Sequence, residues 1–231
     1  MDAEEENGVM TVTANVYWTY TANPYYKVGT YVFNLKQQEN HRFIIQNVAE
    51  TESVEITSGD TSNELFLVKS GGEKERLFAL TDIPKEFLKT DSVRISSLAL
   101  SHDEKDVIFS LQEMAEKVGE PAGVTILKYD RNQKTFTEIA ELDPKASSES
   151  LVIEQMSLDP NGQYLVASVF SEPGFVPDTY LFDIAKGTKI VQFTGSHSMF
   201  WQNQKLMLQV MDENQWMLYE YDPKINKNNI F

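Results

Sequence analysis

The chain has 231 residues, of which 35 are Asp or Glu and 20 are Lys or Arg, for a formal net charge of −15. So acidic a chain repels phosphate backbones and anionic headgroups, which argues against nucleic acid and acidic membrane surfaces as partners. A hydrophobic fraction of 41% with 11% aromatics can fill a sizeable core, and the lack of Cys removes disulfides, thiol catalysis and Cys-based zinc sites.

In chain order, the first segment is Met1-Asp2-Ala3-Glu4-Glu5-Glu6-Asn7-Gly8. It lacks the basic start and apolar stretch of a signal peptide, so residues 1–9 are expected to be an acidic lead-in or linker and 10–231 a single domain. No run approaches the roughly 18 apolar residues that span a bilayer, so no direct membrane insertion is expected. The compartment stays open, with a bacterial extracytoplasmic setting (periplasm or cell surface) as the working expectation.

Beyond the lead-in the text reads as strands: short runs of Val, Ile, Tyr, Phe and Thr between Gly, Pro, Asn and Asp clusters. A first unit (10–47) holds Asn15–Tyr20, a loop with Asn23-Pro24-Tyr25-Tyr26, the phrase Thr30-Tyr31-Val32-Phe33-Asn34-Leu35, and Arg42–Ile45. A second (48–90) is the least regular, with apolar runs at 53–56, 64–68 and 76–80. Pro84–Leu88 is placed to start a helical turn at its proline, and Leu111–Val118 has room for two turns.

The third unit (91–145) runs through Ser97–Ser101, Asp106–Ser110, an insertion at 111–123, Val124–Tyr129 and Lys134–Ile139. The fourth (150–194) is the clearest. Ile153–Leu158 leads to the turn Asp159-Pro160-Asn161-Gly162, where proline presets one dihedral and glycine accepts a positive one. Gln163–Phe170 follows, then a loop with Glu172-Pro173-Gly174-Phe175, then Thr179-Tyr180-Leu181-Phe182-Asp183-Ile184, then Thr188–Phe193. The fifth (196–231) carries Ser198–Trp201, Lys205–Val210 and Trp216–Tyr221.

The phrase at 179–184 restates the one at 30–35, with weaker copies at Thr125–Asp130 and Met217–Asp222. Four antiparallel strands in about 42 residues is the size of a propeller blade, and about five such units are expected. One sheet cannot cover its own apolar face, so units must stack. The expected fold is therefore an all-β propeller of four-stranded antiparallel blades, incomplete or atypical in number; a β-sandwich with long insertions is the alternative. Asp130, Asp183 and Asp222 each end a third strand, where an Asp side chain can bond its own backbone.

At Ser157-Leu158-Asp159-Pro160-Asn161-Gly162-Gln163-Tyr164-Leu165, followed by Tyr180-Leu181-Phe182-Asp183 and Lys186-Gly187, the chain resembles TolB-like or WD40-like propeller repeats. The resemblance covers about residues 95–225 and implies binding more often than catalysis. The family also takes in propellers that gate prolyl-peptidases, which depend on a separate hydrolase domain; nothing in this sequence resembles one.

No Gly-x-Ser-x-Gly elbow, phosphate loop, His-Glu-x-x-His or Gly-x-Gly-x-x-Gly is present. His41, His102 and His197 fall in three different units. In Gly195-Ser196-His197-Ser198 the Ser and His are adjacent on a strand and point to opposite faces, so they do not pair as nucleophile and base. Asp159-Pro160-Asn161-Gly162 offers one carboxylate, too few for calcium. No catalytic residue, metal or cofactor is expected.

The unequal loops between second and third strands share one rim of a propeller. Tyr25, Tyr26 and Phe175 on them are the candidate binding residues, since aromatics give large contact area at low entropic cost. Trp18, Trp201 and Trp216 read as core. The expected function is a non-catalytic scaffold that binds a protein or peptide through that rim. The alternatives are a glycan-active hydrolase or lyase using carboxylates around a central pocket, and a structural domain of a larger envelope or surface protein.

Overall fold

The computed structural model describes residues 2–6, 9–20, 23–37, 43–51, 54–58, 64–69, 73–101, 105–114, 120–144, 150–172, 177–202, 204–212, 215–225 and 227–230. They form five sheets, of which the four-stranded ones are antiparallel. The first contains β1 (Asp2–Glu6), β2 (Val9–Tyr20), β3 (Asn23–Gln37) and β4 (Phe43–Thr51), and the second β5 (Val54–Ser58), β6 (Glu64–Lys69) and β7 (Lys74–Ala79). The third has β8 (Val93–Leu100), β9 (Asp106–Glu113), β10 (Val124–Asp130) and β11 (Thr135–Leu142). The fourth has β12 (Ser150–Leu158), β13 (Tyr164–Glu172), β14 (Asp178–Asp183) and β15 (Thr188–Phe193). The fifth has β16 (Ser196–Gln202), β17 (Lys205–Asp212), β18 (Gln215–Asp222) and β19 (Lys227–Ile230). Each four-stranded sheet is a meander, with sequence neighbours paired antiparallel. Five meanders replace the two sheets of a sandwich.

The four copies of the repeated phrase lie on β3, β10, β14 and β18, the third strand of each four-stranded sheet. Two corrections apply. The acidic segment expected as a lead-in is partly strand: Asp2–Glu6 pairs with β2, Glu6 opposite Val9 and Asp2 opposite Thr13. A ladder asks only for backbone groups, and four carboxylate-bearing residues on a sheet edge discourage pairing with other chains. Leu111, Gln112 and Glu113 belong to β9 and not to a helix, because Leu111 and Gln112 pair with Thr125 and Val124 of β10. β3 runs past Asn34 to Gln37, and the Thr11 hydroxyl bonds Asn34 Oδ1 at 3.2 Å across the sheet. Pro84 does precede a helical turn, a short 3₁₀ one at Lys85–Phe87, after a similar turn at Leu80–Asp82.

The chain divides into two compact units: Met1–Glu55 with Leu67–Glu75, and Ile56–Phe66 with Arg76–Phe231. Unit one is dominated by the first sheet, in which β4 forms one edge. The exposed apolar residues Phe43, Ile44, Ile45 and Val48 lie on that strand.

Unit two is a stack. Leu65, Phe78 and Ile83 pack against Val107, Phe109, Leu127 and Tyr129 on one face of the third sheet. The other face of that sheet gives Ile108, Val124, Ile126 and Ile139 to a second core, shared with Leu165, Ala167, Val169, Tyr180 and Phe182 of the fourth sheet. The fourth sheet's reverse face gives Val166, Leu181 and Phe193 to a third core with Met199, Trp201, Leu206, Leu208 and Tyr221 of the fifth. Alternate residues of one strand thus serve two cores. That is why β9 and β13 read as nearly continuous apolar text: a strand covered on both faces needs no polar alternation.

The third core carries a pH signature. Burial, with smaller contributions from Tyr164 and Asp222, holds the Tyr221 phenol above its usual value. A group whose folded pKa is raised binds its proton more tightly in the folded state. Its contribution to stability is complete below the unfolded value of about 10 and is lost as pH rises through the higher folded value. Thermal melts should therefore show a fall in midpoint beginning near pH 10 that is shallower in Tyr221→Phe. Equal alkaline slopes for the two proteins would show that the phenol is not the titrating group.

Candidate functional site

The residues that the sequence singles out fall into two groups: loop aromatics and turn or strand polar groups. Tyr25 and Tyr26 are not in a loop. They lie within β3, and the backbone pairs Tyr26 with Trp18 and Lys27 with Tyr17. Proline at position 24 suggests a loop, but near a strand end it costs at most one ladder bond. Phe175 lies outside the described residues, as do His41, His102 and much of the 111–123 insertion. The two tyrosines belong to unit one, and the strands flanking Phe175 to unit two.

The ends of these connections are held firmly. Glu113 Oε2 accepts the Gly123 N–H at 2.7 Å, and the Leu151 N–H donates to Ala122 O at 2.9 Å, which ties the close of the insertion to the start of β12. After the Phe175 loop, the Ser196 N–H donates to Pro177 O at 3.0 Å and Asp178 Oδ1 accepts the Gly195 N–H at 3.1 Å.

Polar groups that could carry chemistry are taken up by structure. Ser196 is buried, with Oγ 2.9 Å from Phe193 O and 2.6 Å from Thr179 Oγ1, so it links the fourth and fifth sheets and presents no nucleophile to solvent. Asp130 Oδ1 accepts the N–H groups of Asn132 and Gln133, both at 2.8 Å. Asp183 Oδ1 accepts from Lys186 N at 3.1 Å and Asp222 Oδ1 from Lys224 N at 2.9 Å. The Lys186 ammonium, 2.6 Å from Asp183 Oδ2, holds that carboxyl below the usual range. The third-strand Asp is thus a turn device, as its repeated position implies. Among the described residues no group of three or more His, Cys, Asp or Glu is arranged to hold a metal.

Sequence reasoning missed the latches between neighbouring sheets. The Ser97 hydroxyl donates to Ile153 O and the Gln112 side-chain amide to Leu151 O, each at 2.5 Å, across the third and fourth sheets. Ser97 stands where β8 bulges: Ile95 pairs with Leu111 and Leu98 with Phe109, leaving Ser96 and Ser97 opposite Ser110. β12 and β16 bulge at matching places, beside Glu154 and Ser198.

No family model matches the chain, and no curated protein does. Solved structures do. Dipeptidyl peptidase 4 of Porphyromonas gingivalis aligns at a TM-score of 0.52 and 10% identity, over 96% of this chain and 38% of that one. A puromycin hydrolase aligns at a TM-score of 0.50 and 10% identity, over 99% of this chain and 38% of the other. The β-propeller domain of the Trilobed protease from Pyrococcus furiosus aligns at 0.45 and 12% identity, over 100% of this chain and 56% of that one. At these identities the likeness is one of fold: all-β, with repeated four-stranded antiparallel sheets, and with propeller domains among the similar structures. This chain spans 38% of the length of the dipeptidyl peptidase 4.

The function expected from sequence is corrected here. The non-catalytic scaffold that binds a protein or peptide through its rim gives way to the likeness to dipeptidyl peptidase 4 and to a puromycin hydrolase. The glycan-active and envelope-structural alternatives give way for the same reason.

Proposed function

We propose that this chain is the propeller-type part of a peptidase, a module that admits and orients oligopeptides for a separate hydrolase domain. The observation that carries the reading is the fold likeness to dipeptidyl peptidase 4 over 96% of this chain and 38% of that one. Two further facts support it. The sequence has no nucleophile elbow, and Ser196, which stands beside His197, is buried and bonded. The stacked meanders of unit two are built as propeller blades are, which extends the reading to a ring of blades in the TolB-like manner.

The test is immunodepletion. An antibody against the 231-residue chain should remove most of the oligopeptide-hydrolysing activity from an extract of the native host, while the recombinant chain hydrolyses nothing. Activity that stays in the depleted extract, with the chain fully captured, would end the peptidase assignment.

A further inference from the structure

The sequence holds two Asn-Gly steps, Asn7-Gly8 and Asn161-Gly162. The first lies outside the described residues, and the second forms the turn between β12 and β13. Asn is a chemically labile residue, most of all before glycine, which puts no side chain in the way of its own backbone nitrogen. In deamidation that nitrogen attacks the Asn side-chain carbonyl carbon and closes an imide ring. The side-chain amide leaves as ammonia, taking the proton of the attacking nitrogen. Water then opens the ring at either carbonyl, leaving aspartate or isoaspartate.

The turn withholds what this step needs. Its nucleophile would be Gly162 N, whose N–H donates to Asp159 O at 2.9 Å. Gly162 has a φ of +67° while Asn161 keeps a negative one, so Pro160 and Asn161 are the centre of a type I turn that ends in a left-handed glycine. The residues on either side of Gly162 are pinned to the Asp159 carboxylate, Asn161 N through Oδ2 at 3.1 Å and Gln163 N through Oδ1 at 2.6 Å. Bringing Gly162 N onto Asn161 Cγ requires rotation about the Asn161 Cα–C bond, which lies inside this net, so the near-attack geometry is not reached while the net holds. The attacking form of the nitrogen is an anion, and a fixed carboxylate bonded to both neighbouring residues disfavours it.

We infer that Asn161 is a latent deamidation site, held silent by the hydrogen bonds of Asp159, so that one carboxylate sets the chemical lifetime of this turn as well as its shape. The reaction proceeds only from molecules in which the turn has opened, and its rate follows that local opening. Its consequence for the fold is one-way. Isoaspartate threads the Asn161 Cβ into the backbone and lengthens a turn that must bring Tyr164 N to Asp159 Oδ1 and Leu165 opposite Leu158. Leu165 is fully buried in the core shared with the third sheet, so a turn that has reacted cannot close again without disturbing that packing. This rests on the turn alone and does not depend on the peptidase reading.

Peptide mapping by mass spectrometry tests it, on the 231-residue chain held for weeks at neutral pH and physiological temperature. A synthetic peptide of residues 156–167 gives the unrestrained rate. Asn161 should deamidate at least about tenfold more slowly in the folded chain than in the peptide, and in Asp159→Ala it should come within about threefold of the peptide. Phe78→Ala, which opens a different core, separates loss of the turn from loss of stability and should leave Asn161 slow. A wild-type rate equal to that of the peptide overturns the inference, since the closed turn then gives no protection. So does an Asp159→Ala variant as slow as wild type, which would assign the protection to Pro160 and the backbone bond. Fast reaction in Phe78→Ala as well overturns it too, because the fold as a whole and not the carboxylate then guards the site.

Discussion

Phe78→Ala should destabilise unit two by about 3–5 kcal/mol, the range for removing a buried phenyl group from a core that cannot collapse around the gap. Phe78 comes from β7, is 2% exposed, and is the ring on which the second and third sheets meet. Its centroid lies 4.9 Å from Phe109, 4.8 Å from Tyr129 and 5.1 Å from Phe136, the last edge-on. Those three residues sit on β9, β10 and β11, so one side chain touches three strands of the neighbouring sheet. Truncation loses the transfer free energy of the ring, three aromatic contacts and the filling of the volume between them. Phe78→Leu keeps most of the buried apolar area and should cost only about 1.5 kcal/mol. Urea denaturation followed by near-ultraviolet circular dichroism reads both. A loss below about 1 kcal/mol for the alanine variant would mean that β7 does not pack on the third sheet.

That junction marks where the sequence was readable and where it was not. The strands of residues 53–80 are recognisable one by one, but they carry neither the repeated phrase nor a turn Asp. The apolar positions of Leu65 and Phe78 fit any covering sheet equally well, so the partner is set by tertiary packing and not by local pattern. The third-strand phrase was readable because two independent demands coincide there. A strand covered on both faces must be apolar throughout, and the hairpin that follows needs an Asp acceptor. Tyr25 and Tyr26 were misplaced because proline was taken as a loop mark in a strand that simply starts beside it. Asp2–Glu6 was missed because an edge strand recruited through backbone bonds leaves no hydrophobic trace. For the candidate site the sequence excluded motifs more securely than it located residues. The same sheet repeat serves scaffolds and peptidase modules alike, so the repeat by itself does not set function.

Asp159→Ala should cost about 3 kcal/mol, with no compensating gain from any metal. Asp159 is 3% exposed at the end of β12, and its carboxylate organises the turn into β13. Oδ1 accepts the N–H groups of Gln163 and Tyr164, both at 2.6 Å, and Oδ2 accepts that of Asn161 at 3.1 Å. The backbone closes the same turn from Gly162 N to Asp159 O at 2.9 Å, with Gly162 at a φ of +67°. Hydrogen bonds to a charged acceptor contribute about 1.5–3 kcal/mol each, but three on one carboxylate do not add, and water recovers part of the loss at a turn. Asp159→Asn keeps one oxygen acceptor while turning an amide N–H₂ toward a backbone donor, so its loss should fall between wild type and Ala. The same geometry decides the calcium question. Both carboxylate oxygens already accept backbone N–H groups, and a cation would have to displace them before it gained a single ligand. EDTA or millimolar calcium should therefore leave the melting temperature of the wild-type chain where it is. A rise with calcium that Asp159→Ala abolishes would show instead that the turn opens to bind metal. A loss under about 1 kcal/mol in Asp159→Ala would mean that Pro160 and Gly162 hold the turn without the carboxylate.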